Sequence, residues 1–275
     1  MKIKKKYTHN NKRQIFRLLP TDTDKLIIEE RDTEKKQAYF NCLEIKNGKK
    51  IFTNLQLDEK YWLGIESVQN DIIFFHTFAK PDLPQHKGII AFDINSKKII
   101  WKNKFLTYLF IKDDKVYAFQ QGFENRQYVS LNYLTGEKIE ELGSDSDSIN
   151  IMREKTEAAK DYSSYCFPSM FSLSSLENQT AFEIINDLQK NRKLSGEIEY
   201  VLFNNLLMFN FHKINEDGSL SNIFNAVDLF SRKHILEVSL NSSTHAFAPD
   251  SFFVKDNLLF LLIERIQLKV YKLIS

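Results

Sequence analysis

The sequence predicts an all-β protein, a β-propeller of about six four-stranded blades, and three observations carry that prediction. A turn-centred apolar pattern recurs along the chain, a second pattern built on Asn/Asp turns precedes each copy, and the apolar runs are short. Their residues are mainly Ile, Val, Phe and Tyr, which favour strand over helix. At 275 residues with 43% hydrophobic side chains, the chain is long enough for one such domain spanning residues 1–275.

The first pattern is an alternating apolar run, a tight turn and a second short apolar run. It reads YFNCLEIKNGKKIF at 39–52, GIIAFDINSKKIIW at 88–101, YVSLNYLTGEKIEEL at 128–142 and IFNAVDLFSRKHIL at 223–236. Aligned on the turn, Gly48, Lys97, Gly136 and Arg232 are equivalent, with separations of 49, 39 and 96. The last separation is about double, so one copy between Gly136 and Arg232 is expected to be degenerate or absent. A partial copy, QLKVYKL at 267–273, closes the sequence.

The second pattern is a turn pair of Asn, Asp or Lys followed by a strongly apolar run. It begins at Asp24, Asn70, Asp113, Asn204 and Asp256. Asn and Asp tolerate positive φ and hydrogen-bond to nearby backbone, which suits two-residue turns. A shorter apolar run precedes each turn, at 15–19, 62–68, 106–111, 199–203 and 251–254. One module is therefore four antiparallel strands, and stacked blades would bury both faces of each. The last module stops after its third strand, so the segment before Ile15 is expected to supply the fourth and remove an open edge.

Between Gly143 and Gly196 the β pattern lapses, and one blade is read as degenerate with a helical insertion over 143–196. Met152–Asp161 reads as a polar helix or loop. Ala181, Ile184, Ile185 and Leu188 fall at i, i+3, i+4 and i+7, an amphipathic helix with a capping box at Thr180 and Glu183. Covering a sheet edge, sealing a channel end or acting as a lid would each suit such a segment.

The run Ala91-Phe92-Asp93-Ile94-Asn95-Ser96-Lys97-Lys98-Ile99-Ile100-Trp101 resembles the quinoprotein (PQQ-like) propeller repeat, roughly A-L-D-x-x-T-G-K-x-x-W. Thr135-Gly136-Glu137 and Asn47-Gly48-Lys49 repeat it more weakly, and Asp228 stands where Asp93 does. The whole layout is similar to a bacterial family of quinoprotein-like propellers that carries no assigned activity. That resemblance implies a fold and no mechanism. The quinone dehydrogenases that share the repeat are longer, secreted proteins, and one blade-docking Trp is too few to expect a bound quinone here; no cofactor is expected.

Composition narrows the function classes. With 38 basic and 36 acidic residues the net charge is +2, so neither nucleic acid nor a membrane surface is expected as a partner. The start of the chain, MKIKKKYTHNNKR, lacks an apolar signal core, no run is long enough to span a bilayer, and a cytoplasmic monomer is expected. Cys42 and Cys166 form no ligand motif. The six histidines show no HxxxH or HExxH spacing, so no metal site is expected, and one would need residues from separate blades. His76 and His212 are read as equivalent structural positions. Ser144–Ser148, with its alternating carboxylates, is read as a solvated loop.

Site candidates come from the loops expected to share one propeller face. Trp62, Asp82, His86, Arg126, His245 and Asp250 are the binding candidates, because aromatic and charged side chains around a concavity suit recognition. His245 and Asp250, in HAFAPD, would be placed to meet as base and carboxylate. The function expected is a binding or protein-interaction scaffold for a protein partner or small polar ligand. The alternative is a hydrolase or lyase acting on a carbohydrate or other polar metabolite.

Overall fold

The computed structural model describes residues 1–80, 83–123, 125–172, 178–191 and 193–274. The chain is all-β, a propeller fold with five antiparallel sheets among the described residues, four containing a four-stranded meander and the fifth a three-stranded one completed by the N-terminal strand. It divides into two compact units, Arg13–Asp161 and Met1–Lys12 with Tyr162–Ser275. Among the described residues no helix is long and apolar enough to cross a membrane.

The Arg13–Asp161 unit holds three sheets. The first is β2 (Gln14–Pro20), β3 (Lys25–Asp32), β4 (Gln37–Glu44) and β5 (Lys50–Leu55). The second is β6 (Leu63–Gln69), β7 (Ile72–Lys80), β8 (Leu83–Asp93) and β9 (Lys98–Asn103). The third is β10 (Thr107–Lys112), β11 (Lys115–Gln121), β12 (Arg126–Asn132) and β13 (Lys138–Gly143).

The predicted turns account for this meander. Asn70 and Asp71, and likewise Asp113 and Asp114, have positive φ at both turn positions, the primed geometry that matches strand twist. Gly48, Lys97, Gly136 and Arg232 all have φ between 54° and 75°, so the four turn-aligned positions share one left-handed conformation. Before three of these turns Asp93, Asn132 and Asp228 accept hydrogen bonds from backbone N–H groups two or three residues on. That bond gives the repeated Asp its physical reason.

The consecutive apolar residues of β7 serve two cores. Ile73 and Phe75 pack with Ile27, Phe40 and Phe92 between the first and second sheets. Ile72 and Phe74 point the other way, to Ala91, Trp101, Val116 and Leu131 between the second and third. Period-2 alternation thus buries both faces, at about 1.5–3 kcal/mol for each large side chain. Trp101 fastens the second sheet to the third: its Nε1 donates to Tyr133 O at 2.9 Å, and its ring lies against Gly136. A Cβ on Gly136 would come within 2.6 Å of that ring.

The other unit holds two sheets. One is β16 (Leu194–Phe203), β17 (Leu206–Ile214), β18 (Leu220–Asp228) and β19 (Lys233–Thr244). The other is β20 (Phe252–Lys255), β21 (Leu258–Ile263) and β22 (Gln267–Ile274), completed by β1 (Lys2–Asn10), which runs antiparallel to β22 from Lys2↔Ile274 to Asn10↔Gln267. The N-terminal strand therefore supplies the missing fourth strand. The Met1 amino group also pairs with Asp228 at 2.8 Å. Met208, Phe224, Phe252, Val254, Leu259 and Leu261 fill the core between the two sheets.

Among the described residues five sheets are present where about six are expected, and each has at least four strands. The doubled spacing between Gly136 and Arg232 comes from an insertion between the third and fourth sheets, not from a damaged blade. It carries α1 (Ser146–Ala158), α2 (Gln179–Asn191) and two short strands, β14 (Tyr165–Cys166) and β15 (Ser169–Met170). Helix α1 places Ile149 and Met152 on Phe110, Tyr117 and Phe119, covering the face of the third sheet turned away from the second. Helix α2 places Ala181 and Ile185 on Leu207, Phe209 and Phe211 of the fourth sheet, the face opposite Met208. Strand β14 pairs with β20 and β15 with β16, so the same segment covers two sheet edges.

Three local expectations change. Asp145 caps α1 by accepting from Asp147 N and Ser148 N, so Ser144–Ser148 is a helix start and not a free loop. Asn178 Oδ1 accepts from Ala181 N at 3.0 Å at the start of α2, in place of the Thr180 capping box. Counted from the hairpin turns, the residue matching His76 is Asn210, and His212 matches Phe78.

Candidate functional site

The second sheet brings one carboxylate and two imidazoles together. In this unit each first-strand pair carries a bulge, at Phe16, Glu66 and Leu109. A bulge re-aims the extra residue, and only in the second sheet is that residue a carboxylate. His76 sits at a second break in register, between Phe75 and Thr77 on β7, and His86 stands opposite Phe78 on β8. Three adjacent strands of one blade therefore supply the group, where the spacing argument required several blades.

The geometry is tight. Glu66 Oε1 lies 2.8 Å from His86 Nδ1 and 3.0 Å from His76 Nδ1. The two rings stack with centroids 3.4 Å apart and planes 9° from parallel. His86 makes an aligned hydrogen bond to Glu66, whereas buried His76 Nδ1 reaches the same oxygen at 3.0 Å with poorer alignment. The His76 side chain is 5% exposed, Glu66 14% and His86 40%, so the group opens to solvent on the His86 side. Burial works to raise the Glu66 carboxyl, but hydrogen bonding and the charge of the two imidazoles prevail and hold it below the usual carboxylate range.

An aromatic rim adjoins the cluster, braced by Arg31, whose charge is paired with Glu29. Phe78 packs edge-on against His76, His86 and Trp62, and Trp62 against Tyr61. Arg31 lies over Tyr61 and the exposed ring of Phe16, and it donates to Leu63 O and Tyr61 O. Gly64 leaves the space that the His76 ring fills.

Of the sequence candidates, Trp62 and His86 are thus brought together through Phe78. Asp82 lies outside the described residues. Arg126 stands over Phe119 in the third sheet, apart from this cluster. His245 and Asp250 belong to the other unit, and no hydrogen bond or ion pair among the described residues joins them. Their loop is held instead through its backbone: Asp250 N donates to Glu199 Oε1 and Ala248 N to His212 Nε2. Glu199, Asn210, Asn222 and Ser251 continue a buried polar network there. Burial raises the Glu199 carboxyl and lowers the His212 imidazole.

Sequence reasoning missed Glu66 as a candidate and read His76 as structural. The signal available was the ten-residue spacing of Glu66, His76 and His86, the first two on predicted strands and the third in the loop before the next. Two other places offer less. A cavity of about 840 Å³ flanks the third sheet, but its charged lining residues Lys138 and Glu141 pair with each other. Both cysteines are free, and burial pushes the Cys42 thiol up to about 12, which keeps it protonated.

A family model described as a domain of unknown function (DUF4905) matches residues 19–101, which include the whole cluster. No curated protein matches the chain. Among solved structures, a europium-containing methanol dehydrogenase is similar at 12% identity and a TM-score of 0.35, over 96% of this chain and 52% of that one. This chain thus spans about half of that protein's length. Hsv2 of Kluyveromyces marxianus is similar at 10% identity and a TM-score of 0.31, over 96% of this chain and 77% of that one. Hsv2 of Kluyveromyces lactis gives 11% identity and 0.30, over 96% and 74%.

Proposed function

We propose that this chain is a cytoplasmic, monomeric binding scaffold of the quinoprotein-like propeller type, with its ligand site on the second blade. The observation that supports the reading is the convergence of Glu66, His76 and His86 beside the Trp62, Tyr61 and Arg31 rim. Polar groups set in an aromatic surround are what a binding site needs to orient a small polar ligand. The docking of Trp101 on Gly136 supports the kinship with quinoprotein-like repeats.

A thermal-shift panel of sugars, nucleotides, dicarboxylates and divalent metal salts tests the function. Stabilisation by at least one class, lost in Trp62→Ala or His86→Ala, is expected. Stabilisation that neither variant alters would place the site elsewhere.

One observation favours the hydrolase or lyase reading. The exposed His86 is oriented by a 2.8 Å hydrogen bond to Glu66, as a general base would be. Turnover of a polar metabolite by the wild type, abolished in His86→Gln, would replace the scaffold with an enzyme.

A further inference from the structure

We infer that Glu66, His76 and His86 form a binding site for a divalent transition-metal ion of the zinc class, with a free coordination position facing the Trp62 rim. The inference rests on reading this cluster as the ligand site and names what it takes.

The donor set makes the argument. Two imidazole nitrogens and one carboxylate oxygen all lie within 4.8 Å of one another. Donors bound at ~2.0–2.1 Å to a tetrahedral ion stand about 3.3 Å apart, a few tenths of an ångström more than the 2.8 and 3.0 Å contacts to Glu66. Turning the more exposed His86 ring out of its stack on His76 opens that space and lets both Nδ1 lone pairs converge on one ion. Nitrogen and carboxylate ligands select zinc, cobalt, nickel or copper over calcium and magnesium, which prefer all-oxygen shells.

The poorly satisfied atom makes it specific. His76 Nδ1 is buried 3.0 Å from Glu66 Oε1 but falls short of an aligned hydrogen bond, and a poorly satisfied buried nitrogen is costly. Stacked parallel rings turn both Nδ1 edges toward the same carboxylate oxygen. The carboxylate aligns well with only one of these nitrogens, whereas a cation bound between them would take a lone pair from both nitrogens and from the oxygen. Three protein ligands with one side open is the arrangement of a site that accepts a further ligand. The 40% exposure of His86 puts the opening beside Phe78 and Trp62.

The test is calorimetric titration of chelator-treated full-length protein with zinc chloride, paired with the visible spectrum after cobalt(II) addition. One equivalent is expected to bind, with a cobalt spectrum of a four- or five-coordinate site. His76→Gln, His86→Gln and Glu66→Gln are each expected to weaken zinc at least tenfold. Circular dichroism checks that each variant is folded, and exposed His86 gives the variant least coupled to packing. Absence of stoichiometric zinc and cobalt binding, or binding retained in the folded His76→Gln/His86→Gln double variant, overturns the inference. The same metal-free protein is screened with the small-molecule panel. Shifts that depend on Trp62 without metal would leave the binding reading standing while the metal site falls.

Discussion

Gly64 and His76 face each other across the β6–β7 pair so closely that a methyl group on residue 64 would lie 2.9 Å from His76 Cε1. The atom it would meet belongs to a side chain, so the ring must turn and the strand need not. Gly64→Ala is therefore expected to swing His76 away from Glu66 and weaken zinc binding by roughly tenfold or more, the scale on which the groups supporting a ligand act. Calorimetry on the folded variant checks this, and unchanged affinity would mean that His76 is not positioned by that gap.

Trp101 and Gly136 give a stability prediction. Placing alanine at a residue with φ of 72° costs about 1–2 kcal/mol from conformation alone, and the Cβ also collides with the indole. Gly136→Ala is expected to cost more than that conformational figure, and Trp101→Ala about 3–5 kcal/mol. Urea unfolding measures both. Losses below about 1 kcal/mol would show that the docking contact contributes little.

Strand β1 protects the edge of β22, and Ile3 packs against the core of its unit. Deleting residues 1–10 is expected to lower the melting temperature and to promote association through the uncovered edge. Size-exclusion chromatography with a thermal scan reads both effects. An unaffected, monodisperse truncation would contradict the role assigned to this strand.

Acid sensitivity is expected from His212. Burial holds its folded pKa below the unfolded value of about 6.5. A depressed imidazole contributes stability that is fully present above the unfolded pKa and is lost as pH falls below it. Glu199 acts in the opposite direction: its raised carboxyl favours the folded state as pH falls through the raised value towards about 4.3. Between pH 7 and 5.5, His212→Gln is expected to show a smaller loss of unfolding free energy than the wild type. Denaturant melts at the two pH values give the comparison, and identical slopes would remove His212 as the cause.

Much of the fold was legible because its determinants are local. The positive-φ residues Asn70, Asp113, Gly48 and Gly136 announce their turns by residue type, and the alternation through Ile72–Phe75 announces a strand buried on both faces. The blade count was not legible, because helices α1 and α2 cover sheet faces with the same apolar chemistry that a further blade would use. The site was half legible. Trp62 and His86 stand out as loop-end residues, but the inclusion of Glu66 and His76 depends on bulges that shift the register by one residue. A shift of that kind leaves no mark on residue type, and the ten-residue spacing alone does not say which face each side chain takes. His245 and Asp250 illustrate the converse: side chains close in sequence on one loop are exposed, while the loop's backbone at Ala248 and Asp250 makes the buried contacts.

The proposed ligand site of the second sheet is built on Glu66, His76 and His86. Anomalous diffraction at the zinc absorption edge, from crystals of the full chain grown with zinc chloride, tests it most directly. A single strong peak within about 2.0–2.2 Å of His76 Nδ1, His86 Nδ1 and a Glu66 carboxylate oxygen is the predicted result. Well-ordered density for the three side chains with no peak between them would contradict it.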